Sequence, residues 1–242
     1  MKKLISITVP LCFVVFLSCS KSGSPSPEDS LENGLIAHYT FDGNANDYSG
    51  NNYNLTVQGA TLTNDRHGLS NKAYHFNGID ATMKVPQFPV ADSLPAFSVS
   101  VWAKPEKGGT VYSLSSNFDK THQESMGIFN DSIGHNSAIN YEVTTFYPNG
   151  ASHSTYPQDI ISDITNRWTH LVLVSDTTGV RSYVNTKAVY HTWETFVVDY
   201  SKGGLIGASE IYGPDLYSGD LDDIRFYNRA LTEAEIKKLY EQ

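Results

Sequence analysis

Oxygen-bearing side chains gather at two places in this 242-residue chain. The first is the segment DGNANDYSGNNYN, where Asp42, Asn44, Asn46, Asp47, Ser49, Asn51 and Asn52 lie close together. Calcium takes carboxylate, amide and carbonyl oxygens from flexible loops, so this composition suits a hard cation. An ordinary polar turn has the same composition, because Asn, Asp, Gly and Ser dominate turns. No glutamate closes a twelve-residue EF-hand loop here. The second place is YSGDLDDIRFYNRALTEAEIKKLY near the end of the chain. Strand alternation puts Asp222, Ile224 and Phe226 on one face, with Asp223 and Arg225 on the other. An aspartate among apolar residues is costly unless it is paired or binds a metal.

The elements that must position these residues are mostly strands. Leu35 to Phe41 alternates as a first strand, with Leu35, Ala37, Tyr39 and Phe41 on one face. Leu55 to Leu62, Ala73 to Phe76 and Met83 to Val85 follow, with Asn77-Gly78 as a turn. Phe97 to Ala103 sets Phe97, Val99 and Val101 against Ser98, Ser100 and Trp102, and Pro105 and Gly108-Gly109 are expected to end it. Val111 to Leu114, Met126 to Phe129 and Ile139 to Phe146 come next. Trp168 to Ser175 and Val180 to Val184 form a hairpin, Asn185-Thr186 turns into Lys187 to Tyr190, and Leu205 to Ala208 is the last strand before the closing segment. So many short strands imply two packed sheets. After the closing strand, Thr232 stands three residues before Glu235, the spacing of a capping box, so a helix is expected to begin there.

Composition agrees. Tyrosine (15) and phenylalanine (11) are plentiful, and charged residues make up only 18%. The net charge is −9. It becomes more negative if Lys2 and Lys3 leave with a leader, which disfavours nucleic acid and anionic membrane surfaces as partners. Residues 1–18 read as a signal peptide: Lys2 and Lys3, then an apolar run from Leu4 to Leu17 that is short for a membrane span. The run ends in Phe16-Leu17-Ser18-Cys19, which resembles a bacterial lipobox with Cys19 as the lipidated residue. Residues 19–33, rich in Ser, Pro and Gly, read as a flexible tether to a bacterial envelope membrane, and residues 34–242 as one domain.

Five stretches carry a family resemblance. GLIAHYTFDGNANDYSGNN, AYHFNGIDATMKVP, FSVSVWAKP, RWTHLVLVSDTTGVRSYVNTKAV and DLDDIRFYNRALTEAEI occur in the order in which laminin-G-like and pentraxin-like domains carry them. The chain thus resembles the concanavalin A-like lectin/glucanase superfamily from Gly34 to Gln242. The resemblance implies an all-β jelly-roll sandwich of two antiparallel sheets with a short C-terminal helix. It also implies a structural calcium ion (Ca2+) held by Asp42, Asn44, Asp47 and Asp222, with Asp223 as the alternative if a bulge shifts the strand. Glycoside hydrolases of this fold resemble E-x-D-x-x-E, and that motif is absent. So are the G-x-S-x-G, H-E-x-x-H and phosphate-loop motifs. The eight histidines are scattered. The expected function is non-catalytic binding of an extracellular glycan by a lipoprotein of the cell envelope, outer membrane included, with a surface protein as the alternative partner. Tyr147, Tyr156, Trp193 and Tyr212 are the aromatic residues expected to stack on sugar.

Overall fold

The computed structural model describes the backbone of residues 29–88, 94–115, 122–129, 138–146, 152–155, 164–192, 202–209 and 215–242, and the side chains of 31–88, 94–114, 164–189, 202–209 and 215–242. A one-turn helix α1 (Asp29–Glu32) leads into β1 (Leu35–Tyr39). Short strands β2 (Thr56–Gln58), β3 (Thr61–Thr63), β4 (Ala73–Asn77) and β5 (Thr82–Val85) follow. Next come β6 (Phe97–Ser115), β7 (His122–Phe129), β8 (Ala138–Phe146) and β9 (Ser152–Thr155). The remaining elements are β10 (Thr169–Asp176), β11 (Gly179–Val184), β12 (Lys187–Thr192), β13 (Gly204–Ile206), β14 (Ser218–Tyr227) and helix α2 (Glu233–Glu241).

All the strand pairs are antiparallel and fall into two arrays. The first runs β12–β11–β10–β6–β14, and the far edge of β14 pairs with β1 along one half and with β4 along the other. The second runs β2–β5–β13–β6–β7–β8–β9. Strand β6 belongs to both, so the arrays are two parts of one curled sheet. Its first half pairs with β10 and β14, and its second half with β13 and β7. The sequence reading ended this strand at Pro105 and Gly108-Gly109, but the strand bends there and changes array. Proline lacks a ladder donor, and here it sits beside a register shift opposite Ser218 and Gly219. Gly109 has φ +111°, and its Cα lies so close to the segment leading into β14 that a Cβ would be 2.4 Å from the Leu216 carbonyl oxygen. Only glycine tolerates that conformation and that approach together.

Two other segments depart from the sequence reading. Leu55 to Leu62 divides into β2 and β3, which pair with β5 and β4 in different arrays. The loop Phe146 to Pro157 contains β9, paired with β8. Residues assigned to the tether also reach the domain, since Leu31 is buried beside Val172, Val174 and Ile236.

The main core lies between the arrays and contains Phe97, Val99, Val101, Leu171, Leu173, Leu221, Ile224, Phe226, Tyr39, Phe76, Met83 and Tyr112. A second, smaller core forms on the outer face of the first array, where Val172, Val174, Tyr183 and Tyr227 meet Leu231, Ile236 and Leu239 of the α2 region. Helix α2 starts where the capping-box spacing puts it. The Glu235 carboxylate accepts the Thr232 N–H at 2.8 Å, and Thr232 Oγ1 accepts the Glu235 N–H at 3.3 Å. Burial would raise the Glu235 pKa, but hydrogen bonds from Arg229 and Thr232 hold it below the ordinary carboxylate value. Ser98 joins helix and sheet, donating to the Arg229 carbonyl and accepting from the Leu231 N–H, both at 2.9 Å.

Gly109→Ala is expected to lose about 2–3 kcal/mol of stability, from the positive φ and from the displaced Leu216–Tyr217 backbone. Urea unfolding of the two proteins checks this, and equal midpoints would remove the close-approach argument.

Candidate functional site

The two oxygen-rich places of the sequence are joined through His38 on β1. The His38 backbone N–H donates to Asp47 Oδ1 at 2.9 Å, and its ring Nε2 lies 2.8 Å from Asp223 Oδ1. One residue therefore ties the 42–54 loop to β14.

Asp47 is the hub of that loop. Its Oδ1 accepts from the N–H groups of His38 and Ser49, and its Oδ2 from Ser49 Oγ and the Tyr53 N–H, all within 3.0 Å. An ionised carboxylate offers about four acceptor positions, and these donors fill them. Asn44 Oδ1 accepts the Asn46 N–H at 2.8 Å, while its amide donates to the Asp42 carbonyl and to the Tyr48 hydroxyl. Asp42 is half exposed and pairs with Lys72 at 3.1 Å.

On β14 the alternation breaks at Asp223, which has φ +45° and lies in a register shift between Asp222 and Arg225. This bulge corrects the strand reading. Leu221, Ile224 and Phe226 face the core, while Asp222 does not share their face. Three aspartates of the strand are instead met by cations. Asp220 lies 2.8 Å from His75 Nδ1 and 3.1 Å from Lys104 Nζ. Asp222 accepts from Arg66 Nη1 at 2.5 Å. Asp223 takes His38, then Arg225 at 3.0 Å, with Arg66 Nη2 at 3.7 Å. Arg225 also donates to the Gln242 side chain at 2.7 Å, which reaches the end of helix α2.

Arg66 arrives from the loop between β3 and β4. Asp65 shapes that loop by accepting the N–H groups of His67 and Leu69 at 2.9 and 2.7 Å. The guanidinium lies 5.0 Å from the Trp102 ring centroid, a cation–π distance. Trp102 stacks in turn on Tyr240 of helix α2 at 5.5 Å and 19°. Beside Trp102 lies His170, whose Nε2 is 2.8 Å from Ser100 Oγ.

Burial raises the Asp222 pKa to about 7, against the opposing pull of Arg66. For Asp223 burial pushes in the same direction, but the His38 hydrogen bond and the charges of Arg225 and Arg66 outweigh it and hold the carboxyl below its ordinary value. Burial lowers His170 to about 3, with Asp223 opposing and Arg66 and Arg225 adding to the drop. His170 is therefore neutral at pH 7.

The donor set expected for calcium does not converge. Asp42 and Asn44 are neighbours, Asp47 has its oxygens filled, and Asp222 is capped by Arg66. Among the described residues no group of three or more His, Cys, Asp or Glu side chains could hold a metal ion. On β14 the cation that meets Asp222 is the Arg66 guanidinium. Arg66 itself was missed in the sequence, where the available signal was slight: it is the first Lys or Arg after Lys21, in an Asp-x-x-Gly turn. Cys19, Tyr147, Tyr156, Trp193 and Tyr212 lie outside the described residues.

The family model described as the concanavalin A-like lectin/glucanases superfamily matches residues 77–237. No curated protein matches. Among solved structures, the chain is similar to domain 4 of an extracellular arabinanase from Geobacillus stearothermophilus in complex with arabinotriose. Identity is 23% and the TM-score 0.64, covering 85% of this chain and 98% of that one. It is also similar to the binding domain of Paraclostridial mosquitocidal protein 1, at 17% identity and TM-score 0.65, covering 87% of this chain. The receptor-binding domain of a botulinum neurotoxin C/D mosaic serotype gives 16% identity, TM-score 0.61 and 87% coverage. The chain spans only about half of those two fragments, 52% and 51%.

The folded chain keeps the Asp222 proton up to about pH 7, whereas an aspartate in the unfolded chain releases it near 3.8. Between those values folding takes up a proton, so this group favours the fold most at low pH and less as the pH rises to 7. Asp222→Asn removes that dependence. Relative to wild type, the variant is expected to be more stable at pH 8 than at pH 4.5, by a difference of a few kcal/mol (about 1.4 per pKa unit). Urea midpoints at the two pH values measure it, and a difference that does not change with pH would refute the assignment.

Proposed function

The chain belongs to the concanavalin A-like lectin/glucanases superfamily, and from that membership we propose that it binds a neutral extracellular glycan without chemically altering it. The observation that carries this reading is the likeness to the arabinanase domain. This chain spans 98% of that domain, which was crystallised with arabinotriose. The two therefore share a whole unit of fold, and the relative's unit is one that holds an oligosaccharide. The chemistry of β14 supports the absence of catalysis. Hydrolysis of a glycosidic bond needs two carboxyl groups facing an open cleft. Here Asp220, Asp222 and Asp223 are buried against His75, Lys104, Arg66, His38 and Arg225.

The proposal includes anchorage. Cys19 carries lipid, and the domain stands off a bacterial envelope membrane on the tether that follows. Among the described residues no helix is long and apolar enough to cross a membrane. A second reading, recognition of a surface protein, is favoured by the likeness to the toxin binding domains, one of which is a receptor-binding domain.

The test is a screen of the non-lipidated chain, starting after Cys19, on an array of neutral and acidic oligosaccharides. It is run once with calcium and once with chelator, which also tests the cation expected from the 42–54 loop. A hit confined to neutral glycans, with no new reducing ends released, is the expected result. Folded protein that binds no glycan, yet captures a protein in crosslinking on cells, would replace this reading with the second.

A further inference from the structure

The 42–54 loop expends its polar groups on its own rigidity, and one consequence is an aromatic ring held out into solvent. Tyr48 is 52% exposed. Its backbone N–H donates to the His38 carbonyl at 2.7 Å, which fixes the base of the side chain to β1. Its hydroxyl accepts from Asn44 Nδ2 at 3.2 Å, which fixes the tip. Asn44 is in turn held through its Oδ1 by the Asn46 N–H and through its amide by the Asp42 carbonyl. The four hydrogen bonds to Asp47 hold the loop beneath. The ring is thus pinned at both ends.

Among the described residues, Tyr48 has no ring partner. Tyr240, the other exposed aromatic residue among those described, already stacks on Trp102. The same loop presents other groups that bond to hydroxyls, namely Asp42, half exposed and paired with Lys72, and the exposed amides of Asn46 and Asn52.

We propose that Tyr48, propped by Asn44 on the polar 42–54 loop, is a contact site for a neutral sugar ring. The inference rests on the glycan-binding reading and names the place where this chain would do it. A sugar ring has an apolar C–H face and a rim of hydroxyls. A tyrosine ring offers a flat, rigid surface to the first at little cost in conformational entropy, and the polar side chains of the same loop suit the second. Because the loop is already ordered, binding need not order it, and that improves affinity. The oxygen donors of the loop serve here as the scaffold of a stacking platform.

The experiment is calorimetric titration of the non-lipidated chain with arabinotriose, xylotriose, cellotriose, mannotriose and chitotriose. Wild type, Tyr48→Ala, Tyr48→Phe and Asn44→Ala are compared, each shown to be folded by its thermal melt. Wild type is expected to bind at least one of these probes. Tyr48→Ala should then lose at least about tenfold in affinity, the scale of a binding hot spot, while Tyr48→Phe keeps the ring and most of the affinity. Asn44→Ala frees the ring and should fall between them. Binding by wild type that survives unchanged in Tyr48→Ala overturns the site and leaves the glycan reading standing. Folded wild type that binds none of the five probes overturns both.

Discussion

A run of carboxylates buried on a sheet face must find cations, and much of the outer face of this domain follows from that requirement. Asp220, Asp222 and Asp223 are each less than a tenth exposed. Isolated charges so placed would cost several kcal/mol each. The strand answers by recruiting a cation or histidine from five directions: Arg66 from the β3–β4 loop, His38 from β1, His75 from β4, Lys104 from β6 and Arg225 from β14 itself. Arg66 has the largest structural reach. It touches both Asp222 and Asp223, lies over Trp102, and through Trp102 meets the last turn of helix α2.

The same requirement explains the bulge at Asp223. A regular strand would put Asp222 with Ile224 in the main core, where no cation is present. One residue at positive φ shifts the alternation, so that Leu221, Ile224 and Phe226 all face inward. The strain of a non-glycine residue there, of order 1–3 kcal/mol, is offset by the ion pairs it permits. His38 then carries the arrangement into the 42–54 loop, whose conformation depends on Asp47 accepting the His38 N–H. Sheet face, loop and helix end are therefore one connected polar system laid over the apolar core.

Features that depend on neighbours in sequence were legible before the structure. The capping box at Thr232 and Glu235, the alternation of Phe97 to Trp102, and the turn at Asn185-Thr186 all rest on contacts within a few residues. Features that depend on distant partners were not. Arg66 and Asp222 are 156 residues apart, and His38 and Asp223 are 185 apart. The 42–54 loop was read correctly as rich in oxygen donors, but composition does not say whether an oxygen faces outward or bonds to the loop's own N–H groups. Asp47 does the latter.

By itself the sequence determined the class of fold, the place of the closing helix and the family, because short-range periodicity, turn chemistry and ordered motifs are written along the chain. It also singled out Asp47, Asp222 and Asp223. Only the tertiary structure decided what those carboxylates do. Whether Asp222 meets a metal or an arginine depends on which residues the folded sheet brings within about 3 Å of it, the reach of a hydrogen bond. Whether β6 stops at Pro105 or bends through it depends on β14, β13 and β7 being there to pair with it on either side of the bend. Both outcomes are set by contacts between segments far apart in the chain, which no local pattern encodes.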